Sequence, residues 1–494
     1  MSENAEPPRA RGLSKTRFVK GCQCHKRLWL ETFEPDAPEL VPDAGLQAIF
    51  DSGTNVGELA RAQFPGGGLV DLDPLDPSRE RRTRELIAAG VPAIFEATFI
   101  ADRTNVAIDV LLAEEGGFIL IEVKSTLSVK DVHILDVALQ THVARRAGID
   151  VRRVEVMCLN PGYVHPGPAD LFLRTDVTER VELLLPTIPE TIAVQLDVLA
   201  APMPDVAIGR HCCMPRQCPF QGRCWPQEAD SVLRIPGLDW SERFRLFDGG
   251  SRLLRDLPAD HRLNALQGRH RRALETGALV VEPGLREGLA RFQGRLGFLD
   301  FETIAPAVPV WDGTRPREAI AAQFSYHEGP VGGPYTHAEF LAEGPGDPRA
   351  ALAARLVELT RDAEKVVMYS SYERRCIRDL ARAVPALSAD LLALDAKLVD
   401  LLPVVKRFVY HPEFDGSIGI KAVLPALVKG MSYGDLVQIT GGGEAGAKLE
   451  RLLFGGADVS DVERGVLRHE LLEYCQLDTL AMVKLLERLW GLAA

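Results

Sequence analysis

Two adjacent apolar segments of the sequence have the residue pattern of β-strands, and each segment contains charged residues. NVAIDVLLA spans 105–113 and FILIEVKST spans 118–126, and the EEGG between them supplies glycine for a turn. The segments therefore predict a β-hairpin. A turn that closes symmetrically pairs Ala113 with Phe118, and this register decides which charged side chains meet.

The predicted hairpin gathers three charged side chains. In this register Asp109 faces Glu122 across the ladder, with Cβ atoms ~5 Å apart. Glu122 and Lys124 are two residues apart, so they share one face of their strand. Two carboxylates and an ammonium inside apolar strands are costly unless something pairs them. A divalent ion such as Mg²⁺ between the carboxylates satisfies both and acts on phosphodiesters, while Lys124 orients water or stabilises developing charge.

The D-(x12)-E-x-K pattern of this hairpin resembles the PD-(D/E)xK nuclease superfamily, in particular its RecB-like branch. The resemblance implies that Glu58, in GTNVGELA, corresponds to an upstream acid or histidine of the active site. It also implies that Gln140, in LDVALQTHV, belongs to the glutamine helix of that branch. The tyrosine that the branch has four residues further on is Ala144 here. The alternative is an exposed hairpin with a cross-strand ion pair.

Nine cysteines occur in the chain, and four of them bracket these motifs. Cys24 lies in GCQCHKRLWL, while Cys212, Cys218 and Cys224 lie in HCCMPRQCPFQGRCWP with five residues between neighbours. A reducing cytosol disfavours disulfides, so clustered cysteines indicate metal. The arrangement resembles the iron–sulfur nucleases of the CRISPR-adaptation and AddB-like groups. It implies a 4Fe-4S cluster held by four thiolates, which joins the chain ends of the domain.

Other ligand sets and metals are compatible with the same cysteines. Cys22 is an alternative to Cys24, which is preferred because it directly precedes HKRLWL. Cys213 is an alternative to Cys212, which is preferred because it makes the spacing even. Four cysteines also suit tetrahedral Zn²⁺. Free buried cysteines are the third interpretation.

A second set of acids lies in the last two hundred residues. FLDFET puts Asp300 and Glu302 on one face of an apolar strand. VVMYSSYERRCIRDL predicts a strand, a turn and a helix, with Glu373 near the start of the helix. Tyr474 and Asp478 are four residues apart in the final helical segment, so they share a helix face.

Together these motifs resemble the DEDD 3′–5′ exonuclease superfamily, which has an RNase H-like fold. The resemblance implies that the four acids hold two metal ions, Mg²⁺ or Mn²⁺, and that Tyr474 orients the attacking water. Glu373 departs from the pattern, which has aspartate after its aromatic residue. Asp400, in LVDLLPV, is a further candidate acid. The alternative is a strand with polar ends beside an amphipathic helix.

The length of 494 residues exceeds the ~250–300 that one hydrophobic core usually supports. We therefore expect an α/β protein with two domains, each a mixed sheet flanked by helices. A restriction-endonuclease-like, PD-(D/E)xK domain is expected over 1–228 and an RNase H-like domain over 291–494, joined by a helical, arginine-rich connector over 229–290. The whole chain resembles an uncharacterised bacterial family that fuses these two nuclease modules.

The net charge of −12 argues against a protein that coats nucleic acid, but a nuclease needs only a local basic path. The arginines between Arg243 and Arg272 are a candidate path, with a solvated helical face as the alternative. The N-terminus lacks the apolar core of a secretory signal, and no apolar run reaches the ~20 residues of a membrane span. We therefore expect a cytoplasmic protein without membrane association.

These observations predict a metal-dependent nuclease that hydrolyses phosphodiester bonds of DNA, its expected partner. Family analogy suggests a role in repair or in defence against foreign DNA. The alternative function is a nucleic-acid-binding scaffold in which one or both nuclease sites are inactive. A second alternative has one active domain and one domain kept for structure.

Overall fold

The computed structural model describes residues 12–258, 260–431, 439 and 441–494. The chain forms two compact units. The first consists of Met1–Pro42, Gln47–Trp225 and Ala307–Arg317, and the second of Asp43–Leu46, Pro226–Pro306 and Glu318–Ala494. The predicted connector, 229–290, lies within the second unit.

The first part of the chain, up to residue 228, contains a mixed set of strands and helices. The strands are β1 (Leu13–Ser14), β2 (Gly68–Leu69), β3 (Ala93–Ala101), β4 (Thr104–Glu114), β5 (Gly117–Lys124), β6 (Val151–Leu159) and β7 (Phe172–Asp176). The helices are α1 (Lys15–Gln23), α2 (His25–Phe33), α3 (Ala44–Arg61), α4 (Arg79–Ala88), α5 (Asp131–Arg146), α6 (Thr178–Leu184), α7 (Ile188–Ala200) and α8 (Gln221–Cys224).

The strands of the first unit form one mixed sheet in the order β2-β3-β4-β5-β6-β7, with β1 paired to β4. β3, β4 and β5 are antiparallel neighbours, whereas β5 and β6 are parallel because α5 crosses over between them. The predicted hairpin is confirmed, and Ala113 pairs with Phe118 as expected. Charged residues of β4 and β5 are therefore held in a defined register.

Both faces of this sheet are covered, which explains the apolar strands. Leu111 and Leu120 pack with Val137 of α5 in one buried cluster. Val110 and Ile121, which point to the other face, pack with residues of α3 in a second cluster. Asp109 is two residues from Leu111, and Glu122 is two residues from Leu120. Side chains two residues apart on a strand point to the same face, so Asp109 and Glu122 lie on the face that α5 covers.

The second part of the chain also combines strands and helices. The strands are β8 (Val280–Val281), β9 (Arg295–Ile304), β10 (Ile320–Pro330), β11 (Thr336–Leu341), β12 (Lys365–Met368), β13 (Leu398–Asp400) and β14 (Val409–Tyr410). The helices are α9 (Trp240–Asp248), α10 (Ala265–Thr276), α11 (Leu285–Leu289), α12 (Arg349–Leu359), α13 (Tyr372–Ala383), α14 (Ser388–Lys397), α15 (Leu402–Phe408), α16 (Ile420–Leu427), α17 (Gly442–Phe454) and α18 (Asp461–Leu492).

The main sheet of the second unit has the order β11-β10-β9-β12-β13. β9, β10 and β11 form an antiparallel meander, and β12 and β13 add parallel to β9. β9 is therefore the central strand, and its residues are covered on both faces. The long helix α18 packs against β9 and β10. The chain is thus α/β in both units, as predicted.

One helical segment has the length and composition of a membrane span. Thr178–Ala200, which comprises α6 and α7, has a mean hydropathy of 1.4. Its residues Val181, Ile188 and Ile192 pack in the core of the first unit. A single such segment is weak evidence for a span, because the core helix of a soluble protein has the same properties.

Candidate active sites and cysteine cavity

The first candidate site lies where the ladder between β4 and β5 ends. The last ladder pair is Val110 with Ile121, and Asp109 and Glu122 follow one step beyond it. The Asp109 carboxylate accepts a hydrogen bond from the backbone N–H of Val123 at 2.7 Å. The aspartate side chain thus takes the place of a backbone acceptor at the strand end. Asp109 and Glu122 consequently face the same space.

Helix α5 brings an acid and an amide to the same point. Lys124 Nζ donates to Glu122 Oε1 at 2.6 Å and to Asp136 Oδ2 at 2.8 Å. Gln140 Nε2 donates to Glu122 Oε2 at 2.7 Å and to Asp136 Oδ1 at 3.2 Å. The structure therefore joins the predicted Gln140, Glu122 and Lys124 directly. Asp136 was not predicted, although its i, i+4 relation to Gln140 was a usable signal.

Lys15, at the start of α1, is a further member that sequence reasoning missed. Its Nζ donates to Glu122 Oε1 at 2.9 Å and to Oε2 at 3.2 Å. The same Nζ lies 3.9 Å from Asp109 Oδ1. The carboxylates of Asp109 and Glu122 therefore share the ammonium group of Lys15. Lys15 is distant from both acids in the sequence, so no spacing rule connects it with them.

The buried charges of this cluster shift one another's pKa values. Burial and the neighbouring Glu122 raise the pKa of Asp109 to about 7. The same two causes raise the pKa of Asp136. Burial raises the pKa of Glu122, but the ammonium groups of Lys124 and Lys15 outweigh it, and the net direction is down. Both lysines have raised pKa values because their attraction to the acids exceeds the cost of burial.

Glu58 lies apart from this cluster. Its side chain is exposed on α3, and within the described part of the chain no hydrogen bond or ion pair joins it to Glu122. Helix geometry explains this position, because Glu58 is two residues from both Val56 and Ala60, the buried residues of that helix. Two residues along a helix turn a side chain by about 200°, away from the packed face. The structure does not support the predicted role of Glu58.

The donor set of the first site fits a hard divalent ion. Asp109 and Glu122 already enclose one cation between them. Gln140 Oε1 is buried and has no hydrogen-bond partner in the described structure. Carboxylate and amide oxygens with room for water are what Mg²⁺ or Mn²⁺ requires. Asp109 and Glu122 are the residues that would hold it.

The second candidate site is built on β9 and α18. Oxygen atoms of Asp300, Glu302 and Asp478 all lie within 4.8 Å of one another. Asp300 and Glu302 alternate along β9 to the same face, and α18 brings Asp478 to that face. Among the described residues, no other group of three or more His, Cys, Asp or Glu residues has ligand atoms this close together. The predicted convergence of these acids is therefore observed.

The three acids lie in the wall of a cavity of about 330 Å³. Glu373, in the first turn of α13, also lines this cavity and is 5% exposed. Its Oε2 atom is buried without a hydrogen-bond partner among the described residues. A bound cation would satisfy this oxygen. The longer side chain that departs from the superfamily pattern thus still reaches the site.

Tyr474 and Lys421 add two polar groups to the wall of this cavity. Tyr474 OH accepts a hydrogen bond from Lys421 Nζ at 2.8 Å. The same ammonium lies 4.7 Å from the centroid of the tyrosine ring. Lys421, in the first turn of α16, was not predicted. It belongs to no short motif with the acids, so only the fold connects them.

Burial and mutual repulsion raise the pKa values of the acids in the second site. The pKa of Asp300 lies well above its ordinary value because of burial and because of Asp478 and Glu302. Burial and Asp478 raise the pKa of Glu302 to about 8. Glu373 is raised to a pKa of about 7, mainly by burial. A divalent ion among these oxygens would remove the repulsion, so the donor set fits one.

Asp400 has a structural role at the end of β13. Its Oδ1 accepts from the backbone N–H of Leu402 at 2.9 Å, next to the start of α15. It is not among the residues that line the cavity of the second site. Burial raises its pKa. The structure does not bring this predicted acid into the group formed by Asp300, Glu302 and Asp478.

Four cysteines line one cavity of the first unit. Cys24 lies between α1 and α2. The backbone N–H of Cys218 donates a hydrogen bond to the carbonyl of Cys212 at 2.8 Å, which holds these two cysteines near each other. Burial raises the pKa values of Cys218 and Cys224. The apolar part of the lining includes Leu30, Phe220 and Trp225, and the thiol part is formed by Cys24, Cys212, Cys218 and Cys224.

The two alternative cysteines lie outside this lining. Cys22 Sγ accepts from Gln195 Nε2 at 3.3 Å, and burial raises its pKa to about 11. Cys213 Sγ accepts from Gln221 Nε2 at 3.5 Å. Tetrahedral zinc with bonds of ~2.3 Å requires sulfur atoms about 3.8 Å apart. Among the described residues, no three cysteines have all their Sγ atoms within 4.8 Å of one another.

The arginines of residues 243–272 are mostly engaged within the second unit. Arg243 donates to the carbonyls of Leu233 and Ile235, which holds a loop together. Arg269 is 3% exposed and donates to a backbone carbonyl. Other members pair with acids, as Arg245 with Glu242, Arg255 with Asp230, Arg271 with Glu275 and Arg272 with Glu282. This part of the chain therefore does not support the predicted basic path.

A family model described as a domain of unknown function, DUF2779, matches residues 297–419. The matched segment contains Asp300, Glu302 and Glu373 and ends before Tyr474 and Asp478. No curated protein matches the chain. The match supplies no activity, so function is argued from the geometry of the sites.

The raised pKa of Glu302 predicts how stability depends on pH in protein stripped of divalent ions. The pKa of Glu302 is about 8 in the folded chain, whereas its ordinary value is 4.5. Between pH 4.5 and pH 8 the Glu302 carboxyl therefore holds a proton in the folded chain that it has lost in the unfolded chain. The free energy of unfolding is therefore expected to fall as pH rises from about 5 to about 8, by an amount on the order of 3 kcal/mol. Thermal melting in EDTA at both pH values measures it.

Glu302→Gln is expected to reduce this pH dependence, because the titrating carboxyl is gone. Glu358→Gln, an exposed glutamate of α12, is the matched control and should melt like the wild type at each pH. An equal pH slope in Glu302→Gln and in the wild type would contradict the assignment.

The cysteine cavity predicts bound iron. Protein purified without oxygen is expected to be brown, with broad absorption in the blue and about four iron atoms per chain. Cys24→Ala and Cys218→Ala should lose the colour, because each removes a thiolate from the lining. Cys22→Ala and Cys213→Ala are the matched controls and should keep it. A colourless preparation with one zinc per chain and no iron would exclude this cofactor.

Proposed function

We propose that this protein is a metal-dependent nuclease that hydrolyses phosphodiester bonds of DNA at two separate carboxylate sites. The observation that carries the proposal is the convergence of Asp300, Glu302 and Asp478 from a strand and a helix onto one cavity. Acids with raised pKa values in a cavity are typical of catalytic centres. The strand order of the second unit and the position of Tyr474 also support a DEDD-type exonuclease on an RNase H-like fold.

In the second site, the acids are proposed to hold two divalent ions, Mg²⁺ or Mn²⁺. Such ions activate water and stabilise the charge that develops on the phosphate. Asp300, Glu302, Glu373 and Asp478 would be the ligands. Tyr474 is proposed to orient the attacking water through its hydroxyl group. Lys421 holds that hydroxyl by donating to it at 2.8 Å, so it fixes the direction in which Tyr474 offers its own proton.

In the first site, Asp109 and Glu122 are proposed to hold a divalent ion at the end of the hairpin. The interactions of Lys124 and Gln140 with Glu122 support a PD-(D/E)xK-type, restriction-endonuclease-like domain. Lys124 would stabilise negative charge on the phosphate or orient water. Gln140 would hold Glu122 in its orientation. Asp136 keeps Lys124 charged and directed toward the site.

The four cysteines are proposed to hold a 4Fe-4S cluster with a structural role. Cys24 comes from the first segment of the first unit, and Cys212, Cys218 and Cys224 come from the end of its long segment, Gln47–Trp225. A cluster held by all four joins these distant segments. We further propose that the protein acts in the cytoplasm, where thiols stay reduced, in DNA repair or in defence against foreign DNA.

Cleavage of end-labelled DNA tests the first site. Asp109→Asn and Lys124→Ala are each expected to lower Mn²⁺-dependent cleavage at least about 100-fold, because each removes a group that handles the ion or the phosphate. The measurement uses single- and double-stranded substrates, an RNA substrate for comparison, and an Asp300→Asn background that silences the second site. Glu58→Gln should cleave normally. Full cleavage by Asp109→Asn in this background would refute the proposal.

A second cleavage assay tests the second site in an Asp109→Asn background. Asp300→Ala is expected to lose 3′–5′ trimming and the rise in melting temperature that Mn²⁺ causes, because both depend on bound metal. Glu373→Asp should trim as well as the wild type or better, since aspartate suits the superfamily pattern. Asp400→Asn is the control and should retain trimming. If Mn²⁺ causes no shift in the parent protein, the unit is better interpreted as a nucleic-acid-binding scaffold.

A further inference from the structure

Lys15 lies where the proposed function of the first unit requires a divalent ion. Its Nζ is 2.9 Å and 3.2 Å from the two carboxylate oxygens of Glu122 and 3.9 Å from Asp109 Oδ1. Mg²⁺ binds carboxylate oxygens at about 2.0–2.1 Å and keeps several waters. An ammonium group and a hydrated ion therefore compete for the space between these two carboxylates.

The fold holds the backbone of Lys15 firmly in this position. Leu13 and Ser14 pair with Thr104 and Asn105 of β4, the strand that carries Asp109. Ser14 then caps α1 by accepting from the N–H of Arg17 at 3.3 Å. Lys15 is thus the first residue of a capped helix that is anchored to the active-site strand. Its location at the carboxylates is a consequence of the fold, while only its side chain is able to move.

The charges around the site favour an exchange between the lysine and an ion. Three acids, Asp109, Glu122 and Asp136, face two ammonium groups, those of Lys15 and Lys124. When all three carboxylates are ionised, one negative charge is left over. Replacing the Lys15 ammonium by a divalent ion leaves the cluster neutral, so the exchange is electrostatically favourable. The Lys15 side chain is 26% exposed, which gives it a route to solvent when it leaves.

We propose that Lys15 is a built-in counter-cation of the first carboxylate site, which occupies the ion position in the metal-free protein and withdraws when a divalent ion binds. This inference rests on the proposed function of the first unit. Lys15 is a positioning residue, because it keeps Asp109 and Glu122 together without metal. It also sets the concentration of metal at which the site becomes loaded.

Mn²⁺ binding to the full-length chain tests the competition. Asp300→Asn and Glu302→Gln form the background, so that Mn²⁺ reports on the first unit, and electron paramagnetic resonance counts free ion. Adding Lys15→Met is expected to lower the Kd for Mn²⁺ by a factor on the order of ten or more, because the competing charge is gone. Lys15→Arg should bind no tighter than the background. Lys130→Met, an exposed lysine of the same unit, is the charge-matched control and should change nothing.

A second measurement needs no substitution of Lys15. An amine-acetylating reagent is applied to the background protein with EDTA or with Mn²⁺, and mass spectrometry follows the modification of Lys15. Acetylation is expected to be several-fold faster with Mn²⁺, because the displaced ammonium reaches solvent. The same comparison in Asp109→Asn should show a smaller difference. Equal or slower acetylation of Lys15 with Mn²⁺ would overturn the competition.

The two proposals fail in different ways. In one outcome, Asp109→Asn abolishes binding of a Mn²⁺ ion, but Lys15→Met does not change the Kd of that ion. The first unit then holds its metal, and Lys15 does not compete with it. If no Mn²⁺ ion depends on Asp109 in either protein, the proposed metal site of the first unit and the role of Lys15 both fail.

Discussion

Repulsion between buried carboxylates is the constraint on which both candidate sites depend. Each unit brings acids from separate elements into one desolvated space, which raises the pKa values of Asp109, Glu302 and Glu373. Such groupings are unfavourable unless cations or protons compensate them. A fold that needed only a hydrophobic core would avoid them. Their presence in two sheets of one chain supports the proposed metal-dependent chemistry, in which a bound cation supplies the same compensation.

The two units meet this constraint differently. In the first unit, Lys15 and Lys124 supply internal cations, and Glu122 stays ionised. In the second unit, the acids retain raised pKa values although Lys421 lowers that of Glu302. The metal-free second unit therefore relies on bound protons, whereas the first unit relies on two lysines together with the raised pKa values of Asp109 and Asp136. An added ion displaces protons in one unit and, as we propose, an ammonium group in the other.

Sequence reasoning succeeded where chemistry follows local geometry. The hairpin register follows from a turn and a two-residue period, and the alternation of Asp300 and Glu302 follows from the same period. Sequence reasoning failed where a contact between residues distant in the sequence decides which side chains join a site. Lys15 and Lys421 reach their acids through packing of distant elements, and no spacing rule encodes that. Glu58 was assigned by resemblance alone, and the burial of α3 along its other side turns this residue outward.

The cysteine cavity and the first carboxylate site are connected by a single helix. α1 begins at Lys15, beside Glu122, and Cys24 follows its last residue. Its nine residues span about 13 Å, and between the ends Phe18 is fully buried. Gly21 packs so closely on Gln195 that a Cβ atom would lie 2.4 Å from that side chain. Because the helix is held at both ends and along its length, a centre bound through Cys24 stabilises the element that carries Lys15. The proposed structural cluster would therefore act on the first candidate site by helping to fix where this helix begins.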